Sequence, residues 1–206
     1  MNVRLHTVEE LLARMRTVRL TGLTQPLIYP DGVFLALESL STSLAVPCQL
    51  YYLESRVEQL RELYSKLIQE NEIDFLKMRD LVTGRLVGWM DVELTDGEWM
   101  PLLPPVVETD ARGNYIINDG IHRIQFAREM GCSLRCVLTG IPDWPYYALP
   151  NPNRWDDVKS ISGELPEGFV KKHYRLADKA LYKQLFRDFN AVWPGVQKER
   201  AKGAIV

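Results

Sequence analysis

NDGIHRIQFAREMG, residues 118–131, is the stretch on which the fold turns. A carboxylate, a glycine, a histidine and an arginine arrive together where the β-rich YIIND hands over to a helical run. Gly131 then closes that run at the usual left-handed cap position. A helix N-terminus exposes unpaired backbone amides and roughly half a positive charge, so such a turn either binds an anion or simply starts a helix. In the first reading Gly120 admits close approach, Arg123 adds a bidentate donor and His122 donates to a phosphate oxygen. In the second, Asp119 is only the N-cap. The two conflict, because a capping carboxylate occupies the amides an anion needs and repels it; Asp119 would then face a substrate or a magnesium ion.

Outward from this turn the chain has a clear order. PVVET (105–109) is a strand, DARGN (110–114) a turn, YIIND (115–119) a second strand, the run to Gly131 a helix and LRCVLTG (134–140) a third strand. That predicts a β-turn-β-α-β unit. Upstream, SRVEQLRELYSKLIQEN (55–71) reads as a helix, with Ser55 and Glu58 at capping-box spacing and Val57, Leu60, Leu63, Tyr64, Leu67 and Ile68 on one face. An earlier helix starts at Thr7, boxed with Glu10, and runs to about Arg19.

Residues 20–53 read as turns and short strands, with one short helix near residues 35–42. RLVGWMDVEL (85–94) has strand composition and ends in the turn TDGE, but WMPLLPP (99–105) is too proline-rich for a regular central strand. From residue 141, IPDWPYYALPNPNRW packs four prolines and four aromatics into fifteen residues, the composition of an ordered loop that can line a pocket. Within it Trp144, Tyr146, Tyr147, Asn151, Asn153, Arg154 and Trp155 are candidates for a base or substrate platform, with Arg154 and Trp155 best placed. The tail, LADKALYKQLFRDFNAVW (176–193), places Leu181, Leu185, Phe189 and Val192 at helical spacing before Pro194 stops it.

Composition narrows the function. With 206 residues, 46% hydrophobic and 25% charged, the chain can bury a sizeable core. Its apolar runs are too short to span a bilayer and its start lacks a secretory apolar block, so a cytoplasmic protein without a membrane partner is expected. A net charge of −2 leaves little surplus for gripping a phosphate backbone, which disfavours nucleic acid as a partner. Three cysteines and three dispersed histidines suggest neither a disulfide framework nor a structural metal site.

The segment LPPVVE, YIINDGIHRIQFAREMG and LRCVLTG resembles the core of the ParB/sulfiredoxin-like superfamily, in which a strand, a turn rich in Gly, His and Arg, and a helix cradle nucleotide phosphates. The resemblance covers about residues 100–140, and LESRVEQLRELYSKLIQEN is similar to the helix ahead of that core, with some thirty residues inserted between them. It implies an α+β fold: a mixed sheet with packed helices, here carrying an appended C-terminal helix. The implied organisation is an N-terminal helix and short strands over 1–53, a core over 54–140 with an insertion at about 71–100, and an aromatic loop plus helix over 141–206.

Three chemistries of the superfamily are separable on these residues. Sulfiredoxins place a reactive cysteine directly before His-Arg, where this chain has Ile121. Chromosome-partition ParB proteins carry a basic helix-turn-helix after the core, where this chain has an aromatic-proline loop. Free-serine kinases have a turn similar to DGIHR, and there a glutamate ahead of the preceding helix acts as base on the substrate hydroxyl; Glu54 matches it by position.

By that resemblance Glu54, Asp119 and His122 are the catalytic candidates and Gly120, Ile121, His122 and Arg123 the nucleotide-binding ones, to which the composition of the aromatic loop adds Arg154 and Trp155. ATP or ADP is the implied nucleotide, with the base left open and magnesium as its companion. Two readings remain: an enzyme transferring phosphate to a small hydroxyl compound, and a non-catalytic nucleotide-binding or protein-interaction module. A DNA-associated protein comes third.

Overall fold

The structure, a computed structural model, describes residues 1–21, 26–94, 97–140, 149–173 and 186–194. In chain order its elements are β1 (Val3–His6), α1 (Val8–Met15), β2 (Leu35–Leu40), β3 (Ala45–Pro47), β4 (Tyr51–Leu53), α2 (Glu54–Asn71), β5 (Ile73–Asp74), β6 (Arg79–Asp80), β7 (Trp89–Glu93), β8 (Trp99–Leu102), β9 (Val106–Thr109), β10 (Tyr115–Asp119), α3 (Ile121–Glu129), β11 (Leu134–Thr139), β12 (Lys159–Ile161) and α4 (Phe189–Val192). A 3₁₀ turn covers Arg154–Asp157. This is the mixed α+β architecture implied by the resemblance.

The expected β-turn-β-α-β unit forms its centre. Asp110 closes the β9–β10 turn by accepting from the amides of Arg112 and Asn114, a local bond set that favours a turn over continued strand. β10 runs antiparallel to β9, and α3 carries the chain across to β11, which pairs parallel with β9. The last turn of α3 closes as expected: Gly131 takes a positive φ of 63°, and the amide of Cys132 reaches back to the Ala127 carbonyl at 3.0 Å. The complete sheet has the order β2-β11-β9-β10-β3. Its two outer strands therefore come from the first 53 residues, which do not stand apart from the core.

The region of the insertion at 71–100 builds a small β5–β6 pair and then β7 and β8. β7 pairs with β8 on one side and with β1 on the other, a strand not expected from sequence. β8 lies at the edge of that sheet, which is how Pro101 is accommodated opposite Asp91. α1 begins at the expected capping box, with Thr7 Oγ1 accepting from the Glu10 amide at 3.1 Å and the Glu10 carboxylate from the Thr7 amide at 2.8 Å.

Four expectations need correction. α1 ends at Met15 and not near Arg19, which instead bridges Leu27 in extended backbone. Residues 35–40 form β2, paired antiparallel with β11, and not a short helix. The second helix starts at Glu54 and not after Ser55, because β4 pairs in parallel with β12 and holds the chain extended through Leu53, its N-cap. The tail is not helical over 186–188: Leu20 pairs with Arg187, and the Thr21 and Asp188 amides donate to the Phe186 and Arg19 carbonyls. Helix covers only Phe189–Val192 there, and Leu181 and Leu185 lie outside the described residues. Extended backbone at 187 sends the Arg187 side chain inward.

The central sheet is covered on both faces. Leu67 of α2 and Ile124, Phe126 and Ala127 of α3 are fully buried, as are Val107 and Val137 of the sheet, Leu20 and Tyr29 of the N-terminal segment and Phe189 of the tail. One polar group sits deep in this core. Glu108, fully buried, accepts from Tyr29 Oη at 2.9 Å, from Asn118 Nδ2 at 2.6 Å, and from Arg187 Nε at 3.1 Å and Nη2 at 2.8 Å. A carboxylate taken out of water is tolerated only with such a set of partners. It fastens the tail and the 26–33 segment to the sheet one residue from the turn at 119.

Candidate functional site

The N-termini of α2 and α3 meet. The Leu53 amide, at the β4–α2 junction, donates to Nε2 of His122 on the first turn of α3 at 3.0 Å. The helices then run side by side in the same sense, since Arg61 on the second turn of α2 pairs with Glu129 at the end of α3 at 2.7 Å. Neither helix receives a side-chain cap. Two sets of first-turn amides and two positive dipole ends therefore share one corner of the molecule.

His122 is neutral there. Its pKa falls from the ordinary 6.5 to about 4, through burial first and then the positive fields of Arg123 and Arg56, against a smaller opposing pull from Asp119. With Nε2 accepting from Leu53, the neutral ring keeps its proton on Nδ1. Arg56 was not singled out in the sequence. It donates to Gln59 Oε1 at 2.8 Å and forms no ion pair among the described residues.

Asp119 does not take the capping role weighed for it. It pairs with Arg123, one helical turn on, whose guanidinium also donates to the Leu103 carbonyl. The carboxylate thus does not cap α3, and Arg123 closes the turn against the link between β8 and β9. Gly120 sits at the N-cap with φ 93°, and a Cβ there would lie 2.8 Å from Pro105 Cβ. Glycine is required both for the left-handed turn and for the close approach of Pro105. Ile121, next to it, is buried.

Glu54 opens α2, next in the chain to Leu53, whose amide bonds His122. Its carboxylate accepts from Ser160 Oγ at 2.6 Å and from Ser162 Oγ, hydroxyls delivered by β12. These two bonds hold its pKa below the ordinary carboxylate value, so Glu54 is an anion at neutral pH.

Arg154 and Trp155 lie elsewhere. Arg154 Nη2 donates to the Leu44 and Ser43 carbonyls at 2.8 and 3.2 Å, and Trp155 Nε1 donates to the Ala45 carbonyl at 2.8 Å. Arg128, in the last turn of α3, stacks over the Trp155 ring at 4.1 Å. Both residues thus fasten the 3₁₀ turn to the start of β3, at the far end of α3 from His122. Trp144, Tyr146 and Tyr147 lie outside the described residues.

The cysteines are not poised as nucleophiles. Burial pushes the Cys48 and Cys136 thiols up to about 12 and raises that of Cys132. Among the described residues no three of His, Cys, Asp and Glu come together as a metal-holding group, and no helix is long and apolar enough to cross a membrane.

A mixed sheet whose β10–α3 turn is braced by an arginine and abuts a preceding helix is the arrangement expected of a ParB-like core, and the family model of the ParB CE domain matches residues 10–159. The chain belongs to the ParB CE domain family. The match takes in both helices of the corner and the five-stranded sheet, and it includes the insertion, while β1 lies ahead of it. Within this ParB CE domain, Ser160 and Ser162 fall just past the matched stretch, whereas Glu54, Asp119, Gly120, His122 and Arg123 fall inside it. No curated protein and no solved structure matches the chain.

Proposed function

We propose that the α2–α3 corner binds the phosphates of a nucleotide, ATP or ADP, and that the protein transfers a phosphoryl group to a hydroxyl compound. The observation that carries this reading is the convergence of two helix N-termini without side-chain caps on a neutral imidazole. Backbone amides and dipole ends favour an anion there, and Arg56 adds a cation. Glu54, the first residue of α2 and an ionised carboxylate, would orient an acceptor hydroxyl and take its proton. Magnesium would arrive with the nucleotide and offset its charge.

The serines on Glu54 favour a second reading, a nucleotide-binding module without transfer, because they occupy the carboxylate. Calorimetric titration with ATP, ADP and CTP, with and without magnesium, followed by a screen of amino acids and sugars for nucleotide-dependent phosphorylation, separates the two. Transfer that vanishes in Glu54→Gln while binding persists supports the enzyme. Binding without transfer to any hydroxyl supports the module, and no binding of any nucleotide removes both.

A further inference from the structure

The feature that the proposed function leaves unexplained is the pair of hydroxyls on Glu54. Ser160 pairs in register with Tyr52 in the β12–β4 ladder, so it is held by strand geometry beside the residues that start α2. Its Oγ donates to Glu54 Oε1 at 2.6 Å, and Ser162 Oγ donates to the other carboxylate oxygen. A short charge-assisted bond of this kind is the ground-state arrangement of a hydroxyl nucleophile with its base. One residue before Glu54, the Leu53 amide is bonded to His122 at the proposed phosphate cradle.

We propose that Ser160 and Ser162 are phosphorylation sites of the chain's own activity: the acceptor class of this site is a serine hydroxyl, supplied in cis. The inference rests on the nucleotide reading of the α2–α3 corner. In the step, the serine Oγ attacks the terminal phosphorus of a nucleoside triphosphate. The new O–P bond forms as the bond from that phosphorus to the bridging oxygen breaks. The nucleoside diphosphate leaves with that electron pair, and the hydroxyl proton passes to Glu54. Phosphoserine at either position would place a dianion against the Glu54 carboxylate, and like charges at that distance repel. Modification therefore opens the β12 contact and frees Glu54 for another hydroxyl.

Both serines are exposed, Ser160 within β12 and Ser162 just past it, which makes alanine there compatible with folding. The test incubates the full chain with magnesium and ATP, follows incorporation of the terminal phosphate, and locates it by peptide mass spectrometry; nucleotide binding is measured separately by calorimetry. Phosphoserine at 160 or 162, lost in the double variant Ser160→Ala/Ser162→Ala and slowed on the order of a hundredfold in Glu54→Gln, is the expected result. Nucleotide binding with no phosphate on either serine overturns this inference and leaves the binding reading intact. Absence of nucleotide binding overturns both, and incorporation that depends on protein concentration contradicts an acceptor in cis.

Discussion

The amide of Leu53 donates to Nε2 of His122 at 3.0 Å, and this bond joins the starts of two helices that are 69 residues apart in sequence. It fixes the tautomer of the ring and leaves the first-turn amides of both helices at one corner. Several consequences are measurable.

His122 makes stability fall on acidification in a defined window. Its folded pKa of about 4 lies below the ordinary 6.5, so the unfolded chain takes up the proton first. The contribution is fully present above pH 6.5, declines as the pH drops, and is gone near pH 4; the shift corresponds to about 3 kcal/mol. Urea unfolding across this range should show that slope, and His122→Gln should flatten it. An unchanged slope in the variant would assign it to other groups.

The buried pair of Glu108 and Arg187 should dominate the stability of the tail. Arg187→Ala leaves a carboxylate without its cation in a fully buried position, which costs about 3–5 kcal/mol. Denaturant midpoints report this directly. Glu108→Gln should cost less, because the amide oxygen still accepts from Tyr29 and Arg187.

Gly120→Ala is expected to be more damaging than Gly131→Ala. Both residues have positive φ, but the added Cβ meets Pro105 at 2.8 Å only at Gly120, while the space at Gly131 is open. Strain alone is about 1–3 kcal/mol, and the contact at Gly120 adds to it. Equal losses in the two variants would show that Pro105 moves aside.

At the site itself, Arg56→Ala should weaken nucleotide affinity by roughly tenfold, in keeping with the loss of one charge-assisted contact of about 1.5 kcal/mol. Because Arg56 is half-buried and bonded only to Gln59 among the described residues, the melting temperature of this variant should stay close to that of the parent. Arg123→Ala tests something different: it unbraces Asp119 and Leu103, so stability and binding should fall together.

How much of this was legible in the sequence depends on the range of the contact. The Thr7–Glu10 box, the Asp110 turn and the Gly131 stop are all settled within five residues, and the spacing of side chains is enough to read them. The Asp119–Arg123 pair was also readable. An acid four residues ahead of an arginine at a helix start is the spacing at which such pairs form. By contrast, the start of α2 was misread because a strand from residues 159–161 holds Leu53 extended. No local pattern announces a partner more than a hundred residues away, and the same distance hid Ser160 and Ser162. Arg187 escaped for a related reason: its neighbours Phe189 and Val192 fit a helical period, while the demand of a buried Glu108 overrides that period locally.

The central claim is that nucleotide phosphates sit where α2 and α3 begin, and amide-resolved NMR during titration with magnesium ATP tests it most directly. The account predicts saturable shifts of the backbone amides at 54–56 and 121–123 and of the His122 ring, abolished or strongly weakened in Arg56→Ala. Shifts confined to other parts of the chain, or none at concentrations reaching the millimolar range, would contradict it.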